Sequence, residues 1–325
     1  MKTQTQKTQK KPDYSGVCVA RKRLINVVES TPLLPLKLGG ATLWCKCESR
    51  QPIGAFKLRG AWHRLNAMSD AERAGGVVAF SSGNHAQGVA WAALRLGMAA
   101  TIVMPRDTPQ VKLDGTRALG AEIILYDRMT ERREEIASAL AEARGAVLVP
   151  SYDDPWVIEG QGSAGIEAVE QLAAQGLGPP DLIVTPCGGG GLGAGLALAI
   201  PGARIVLVEP KGWDDMGESL RQGEIVPVGP NPPLTRCDAL QTLRVAALTF
   251  DVLKARGASG VSVSEDEVAA AMRHAHATLG ERLEPGGAVA LAALLSGKVA
   301  PGKRTLVLLS GGNVDPALFA DVLAG

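Results

Sequence analysis

The chain has 325 residues, 46% hydrophobic and 21% charged, with 34 basic against 33 acidic side chains. That balance excludes the basic surface that a nucleic-acid or anionic-membrane partner requires. The length suits about two domains, with a core large enough to need neither disulfide nor metal staples.

The first twelve residues, MKTQTQKTQKKP, are polar and carry no apolar stretch, so they read as a disordered tail and not as a secretory signal. Cys45 and Cys47 alternate with Lys46 and Glu48, which predicts a strand with both thiols turned inward. With Cys18, Cys187 and Cys237 they make an odd set of five that fits no zinc spacing, as expected of reduced thiols in a cytoplasmic protein. A helix is predicted over Leu58–Ala67. From Gly76 onward short apolar runs bounded by Gly, Pro or Asp recur at Val77–Phe80, Ala100–Met104, Ala121–Tyr126 and Ala146–Val149. They read as buried parallel strands, with amphipathic helices Gln87–Leu96, Gln110–Leu119 and Arg132–Ala143 between them. The pattern resumes with strands Leu182–Thr185, Arg204–Glu209, Gly260–Val263 and Thr305–Leu309, and with helices Ile158–Gln175, Gly193–Ile200, Glu265–Leu279 and Ala288–Leu295. Ser264 and Glu267 form a capping box. The longest apolar run, Leu192–Ile200, is too short to span a bilayer. The alternation implies two doubly wound α/β units with a ligand cleft between them.

Residues 185–195 follow a strand, open a helix and hold four consecutive glycines, Gly188, Gly189, Gly190 and Gly191, then Leu192. Bare backbone N–H groups at a helix N-terminus can wrap a phosphate. A flexible turn is the plainer reading, but four glycines are entropically costly for that purpose. Gly188, Gly190 and Gly193 also satisfy the dinucleotide spacing, with Glu209 where a ribose-binding acid belongs, so an NAD oxidoreductase stands as one reading of this segment.

Lys57 follows Phe56 in the Pro/Gly-rich segment 48–61 and begins the predicted helix. Cations are disfavoured at a helix N-terminus, so a lysine held and desolvated there has a lowered pKa, which suits Schiff-base chemistry. The polar loop Ser81, Ser82, Gly83, Asn84, His85, Ala86, Gln87 opens the next helix and can receive a carboxylate. Ser310, in LeuLeuSerGlyGlyAsn at 308–313, ends a strand on the side where open α/β sheets bind ligands.

These four segments, in this order, resemble the serine/threonine dehydratase family of fold-type-II pyridoxal-phosphate (PLP) enzymes, which includes serine racemases, over roughly residues 21–315. Segments 30–33, 158–163 and 284–288 add to the likeness. The resemblance implies a tryptophan synthase β-like α/β fold, with a large domain over 13–51 and 151–325 and a small one over 52–150. It implies PLP on Lys57, Phe56 against the ring, Asn84 on the ring hydroxyl and the phosphate on Gly188 to Leu192. Ser310 then faces the pyridine nitrogen with Glu284 nearby, and Ser81, Ser82, Asn84, His85 and Gln87 take the substrate carboxylate. Thr242 is the expected substrate contact in a stretch where Cys237-Asp238-Ala239 departs from the family's usual Ala-Asp-Gly, and that departure leaves the substrate open. The implied activity is loss of water and ammonia from L-threonine or L-serine. Serine racemase and 3-hydroxyaspartate dehydratase are the alternatives, and a homodimer is expected. The chain ends soon after Asp315, so no added regulatory domain is expected. In racemases of the family a serine at the position of Ser82 serves the second face of the substrate, so weak racemase activity is also expected.

Glu209 and Asp215 are six apart across a tight turn, with the Trp213 carbonyl between them. Hard oxygen ligands of this kind suit Mg²⁺ or Ca²⁺, and these positions match the metal site of serine racemase-like proteins. A solvated acidic turn is the other reading.

Overall fold

The computed structural model describes residues 10–81, 83–108 and 110–325. Ser82 and residues 1–9 of the predicted tail lie outside the described residues. In chain order the elements begin with α1 (Tyr14–Leu24), β1 (Leu33–Leu38), β2 (Ala41–Cys47), α2 (Lys57–Asn66) and α3 (Asp70–Gly75). Then come β3 (Val77–Phe80), α4 (Asn84–Arg95), β4 (Ala100–Pro105), α5 (Gln110–Ala118), β5 (Glu122–Tyr126), α6 (Arg133–Arg144) and β6 (Val147–Leu148). The second half runs through α7 (Pro155–Ala173), β7 (Leu182–Pro186), α8 (Gly191–Ala199), β8 (Arg204–Pro210), α9 (Asp215–Gln222) and α10 (Ala247–Ala255). It closes with β9 (Ser259–Val263), α11 (Glu265–Leu279), α12 (Pro285–Leu295), β10 (Thr305–Leu309) and α13 (Pro316–Ala324).

Two sheets result. One has the order β1-β2-β10-β7-β8-β9 and the other β5-β4-β3-β6. All neighbours pair in parallel except β1 with β2. Parallel pairing follows from the helical crossovers, because a crossover returns the chain to the end of the sheet where the previous strand began. The exception was not read from the sequence. β1 and β2 join through Gly39–Gly40, and Gly39 has φ +57°, the glycine position of a type II′ hairpin. The apolar runs β7 and β10 are buried along their whole length, as strands covered on both faces must be.

Cys45 and Cys47 are fully buried, as the alternation predicts. Lys46 and Glu48 are fully buried as well, which the alternation does not predict. The opposite face of β2 meets protein, not water, and the charges there are paired. Lys46 Nζ donates to Glu167 Oε1 on α7 at 2.5 Å and to the Thr31 carbonyl at 2.6 Å. Arg59, in the first turn of α2, holds Glu48 through two bonds of 2.7 and 2.8 Å and reaches Glu167 at 3.0 and 3.2 Å. Burial works to raise the Glu48 pKa, but Arg59, Lys46 and the Thr31 hydroxyl together outweigh it and hold the carboxyl below its ordinary value. This cluster locks α2 to α7 and to the end of β2.

Removing one partner of a buried ion cluster strands the rest. Arg59→Met should cost about 3–5 kcal/mol of folding stability in urea melts. A loss under about 1 kcal/mol would mean that the cluster does not hold α2.

Candidate active site

The two sheets face each other across a cavity of about 780 Å³. Lys57 stands at its wall as the first residue of α2, with Phe56 as the helix N-cap. Segment 310–313 grips the turn before it: Phe56 N donates to the Ser310 carbonyl at 3.1 Å, and Gly312 N to the Gly54 carbonyl at 2.8 Å. Lys57 Nζ lies 3.0 Å from the Ser151 carbonyl and 5.2 Å from the Phe56 ring centroid. Burial lowers its pKa to about 8, against a smaller upward pull from Glu284.

Opposite the lysine runs the loop after β7. Its residues Gly188 to Leu192 line the cavity, and α8 starts at Gly191. Gly190 has φ +86°, which only glycine adopts without strain. A Cβ at Gly189 would lie 2.4 Å from the Tyr152 ring. Thr249 Oγ1 donates to the Gly189 carbonyl at 2.8 Å and pins the loop. The last two glycines of the run serve packing: a Cβ at Gly193 would meet Leu207, and one at Gly195 would meet the backbone of α7.

The third wall is the loop before α4. Ser81, Asn84 and His85 line the cavity. The helix starts at Asn84 with Gly83 as N-cap and no side-chain cap among the described residues, which leaves the asparagine for other partners, while Ser81 Oγ accepts from Gly83 N at 3.2 Å. Burial and Lys57 push the His85 pKa down to about 3, so the ring is neutral. Its Nε2 lies 2.8 Å from the Val149 carbonyl and donates to it, which leaves Nδ1 as an acceptor, buried without a partner among the described residues. Glu284 caps α12, accepts from Asn84 Nδ2 at 2.6 Å and is pushed up to about 7, chiefly by burial. Ser310 and Thr242 line the cavity too, and a Cβ at Gly188 would lie 3.1 Å from Thr242 Oγ1.

One expected site residue stands apart. Gln87 does not line the cavity; a Cβ at Gly115 on α5 would lie 3.4 Å from its Nε2. Gln87 lies a turn into α4, and its side chain reaches α5. Sequence reading missed Lys112, Arg133, Tyr152 and Arg244, all of which line the cavity. Nothing local marks them, since they come from four separate segments that only the fold assembles.

Glu209 is fully buried at the end of β8, with Oε1 accepting from Met216 N at 3.1 Å and Oε2 from Gly217 N at 2.8 Å. Both oxygens cap α9, so they are not offered to a ribose. Both oxygens of Asp215 are buried and make no hydrogen bond of good geometry among the described residues, although nearby backbone N–H groups, Val245 first, favour their charge. Burial, then the Asp215 charge, pushes Glu209 well above the carboxylate range, and burial pushes Asp215 up to about 7. Trp213 is buried and anchored by its Nε1 to the Pro233 carbonyl at 2.8 Å. Two buried carboxylates without a paired cation among the described residues suit a cation with further backbone or water ligands. No cluster of three or more His, Cys, Asp or Glu side chains set to hold a metal occurs among the described residues. Nor is any described helix long and apolar enough to cross a membrane.

The model of the family "Pyridoxal-phosphate dependent enzyme" matches residues 25–311. The L-threo-3-hydroxyaspartate ammonia-lyase of Saccharomyces cerevisiae is 39% identical over 97% of this chain and 97% of its own. Among solved structures, the T.th. threonine deaminase superposes with a TM-score of 0.86 at 40% identity, covering 94% of this chain and 99% of that one. Maize serine racemase gives 0.88 at 33% identity over 97% and 98%. The chain belongs to the pyridoxal-phosphate dependent enzymes and, within them, to the fold-type-II serine/threonine dehydratase family. The dinucleotide reading of the glycine loop is thereby set aside.

A lysine with a depressed pKa reacts as an amine at lower pH. It also gives the folded protein a stability that rises from about pH 8 to about 10.4, where the unfolded lysine loses its proton. Competitive labelling of the cofactor-depleted protein with acetic anhydride, read by peptide mass spectrometry, should therefore place the Lys57 midpoint near pH 8. A midpoint near that of an ordinary lysine, about 10.4, would contradict control by burial.

Proposed function

We propose that the protein is a PLP-dependent ammonia-lyase that converts a small 3-hydroxy amino acid to a 2-oxo acid and ammonia, with Lys57 as its Schiff-base lysine. The observation that carries this reading is a half-buried amine of lowered pKa, fixed at a helix start and facing a glycine cradle across one cavity. The cradle suits the phosphate of PLP: bare backbone and the α8 N-terminus stand on one side, and there is no room for a side chain at Gly189. Gly188 to Leu192 would hold that phosphate, Phe56 would flank the ring, and Ser310 would face its nitrogen with Glu284 nearby. When bound, PLP supplies the electron sink that acidifies the substrate's Cα–H bond. Lys57, partly neutral near pH 8, is suited to take that proton. Asn84 would donate to the ring oxygen, Ser81 would bind the α-carboxylate together with Ser82, and Thr242 would touch the substrate beside the loop. His85, whose free Nδ1 only accepts, has no proton to give that carboxylate. A serine at the ring nitrogen cannot hold it protonated, which favours expulsion of the β-hydroxyl over longer-lived side reactions.

For the substrate itself we favour 3-hydroxyaspartate over threonine and serine. Lys112, Arg133 and Arg244 line the cavity in addition to Lys57. Lys112 pairs with Asp238 and Arg133 Nε with Glu134 at 2.8 Å, so each cation already holds a carboxylate that a substrate carboxylate can replace. The name of the yeast relative supports this choice. We further propose Mg²⁺ at Glu209, Trp213 and Asp215, where it would neutralise the two carboxylates and steady β8 against α9, away from the chemistry. A cytoplasmic homodimer fits the five free thiols and the relatives' class.

Three experiments test these statements. In a panel of L-3-hydroxyaspartate, L-threonine and L-serine, 2-oxo acid release should be fastest with hydroxyaspartate, and Lys57→Ala should abolish it. Borohydride treatment of the PLP-loaded wild type should label Lys57 covalently; turnover by Lys57→Ala would end the assignment. Removal of divalent ions with EDTA should lower the melting temperature and Mg²⁺ should restore it, whereas no change in either direction would remove the metal.

A further inference from the structure

The carboxamide of Asn84 is held from two sides. Its Oδ1 accepts from Asn313 Nδ2 at 2.7 Å, and its Nδ2 donates to Glu284 Oε1 at 2.6 Å. Asn313 Nδ2 also donates to the Ile53 carbonyl at 2.8 Å. Both N–H bonds of Asn313 therefore end on acceptors. A flipped amide, or an aspartate, would set an oxygen against two oxygens. The position of Asn313 is itself confined: Gly54, at φ +71°, leaves the space for it, since a Cβ there would lie 2.2 Å from Asn313 Oδ1. With its oxygen taken by Asn313 and one N–H by Glu284, Asn84 has one N–H left, and Asn84 lines the cavity.

We infer that Asn313 is a positioning residue that compels Asn84 to present a hydrogen-bond donor to an anionic oxygen in the cavity, while tying that loop to the turn that carries Lys57. The inference rests on the proposed function, in which that oxygen is the ring oxygen of PLP. Glu284 alone cannot impose this polarity. As a carboxylate it demands Nδ2, but once protonated it can pair with either end of the amide. Asp238 and Cys237 stand near Glu284, as do Lys57 and Lys112, and burial brings its pKa to about 7. Asn313 keeps the donor pointed inward through that titration.

The test loads PLP into wild type, Asn313→Asp, Asn313→Ala, Asn84→Ala and the Asn84→Ala/Asn313→Asp double variant. Cofactor affinity and the visible absorption of the bound cofactor are recorded across the neutral pH range, with the melting temperature of each cofactor-free protein alongside. Asn313→Asp should weaken PLP binding roughly tenfold, the size of one lost buried hydrogen bond, and shift the visible band. Asn313→Ala should gain a spectral transition near neutrality that wild type lacks. Neither effect should appear once Asn84 is alanine. If Asn313→Asp folds poorly, Asn313→Ala with and without Asn84→Ala carries the same comparison. Unaltered spectra and affinity in the Asn313 variants overturn the inference alone, as does an equal effect in the Asn84→Ala background. A wild type that takes up no PLP and shows no borohydride label on Lys57 overturns the inference and the proposed function together.

Discussion

Two residues beyond Lys57, the Arg59 guanidinium lies wholly out of water between Glu48 and Glu167. A buried charge has no tolerance for displacement, because any partner it loses is replaced by nothing. Helix α2 therefore has a fixed axial position, and so does the lysine at its first turn. Lys46 completes the cluster and draws β2 of the six-stranded sheet into the same lock. The amine that faces the cavity thus inherits its placement from charges that never see the cavity.

The cavity itself treats its titratable groups in a consistent way. Burial disfavours the charged form of each, so Lys57 falls to about 8, Glu284 rises to about 7 and His85 becomes a neutral ring. Lys57 and Glu284, with pKa values drawn towards neutrality, can exchange protons with little driving force against them, which is what removal of a Cα proton at neutral pH requires. The ion pairs at the rim, such as Lys112 with Asp238, suit recognition better than proton transfer.

The glycine segment shows how one stretch serves two ends. Its first four residues present bare backbone to the cavity, while Gly193 and Gly195 let α8 approach β8 and α7 closely. The same close approach aims the helix N-terminus at the space the loop encloses. Packing and ligand binding are not separable there, since a side chain at either set of positions would move the helix.

The β-α alternation, the glycine loop, the Lys57 turn and the ends of most helices were legible in the sequence, because each is a local matter of periodicity, capping or backbone freedom. So was the family, since four motifs in fixed order are far more specific than any one of them. The burial of Lys46 and Glu48 was not legible: alternation along a strand says which residues share a face, but not whether the other face meets water. Nor could the chain reveal that Gln87 turns toward α5, that Tyr152 lies on Gly189, or that Asn313 reaches Asn84 across a gap of more than two hundred residues. Those are contacts between segments, decided by how the two sheets dock. Local chemistry determined which residues could bind or react. Only the tertiary structure decided which of them share the cavity, because desolvation and hydrogen-bond partners belong to the assembled site and to no single stretch of chain.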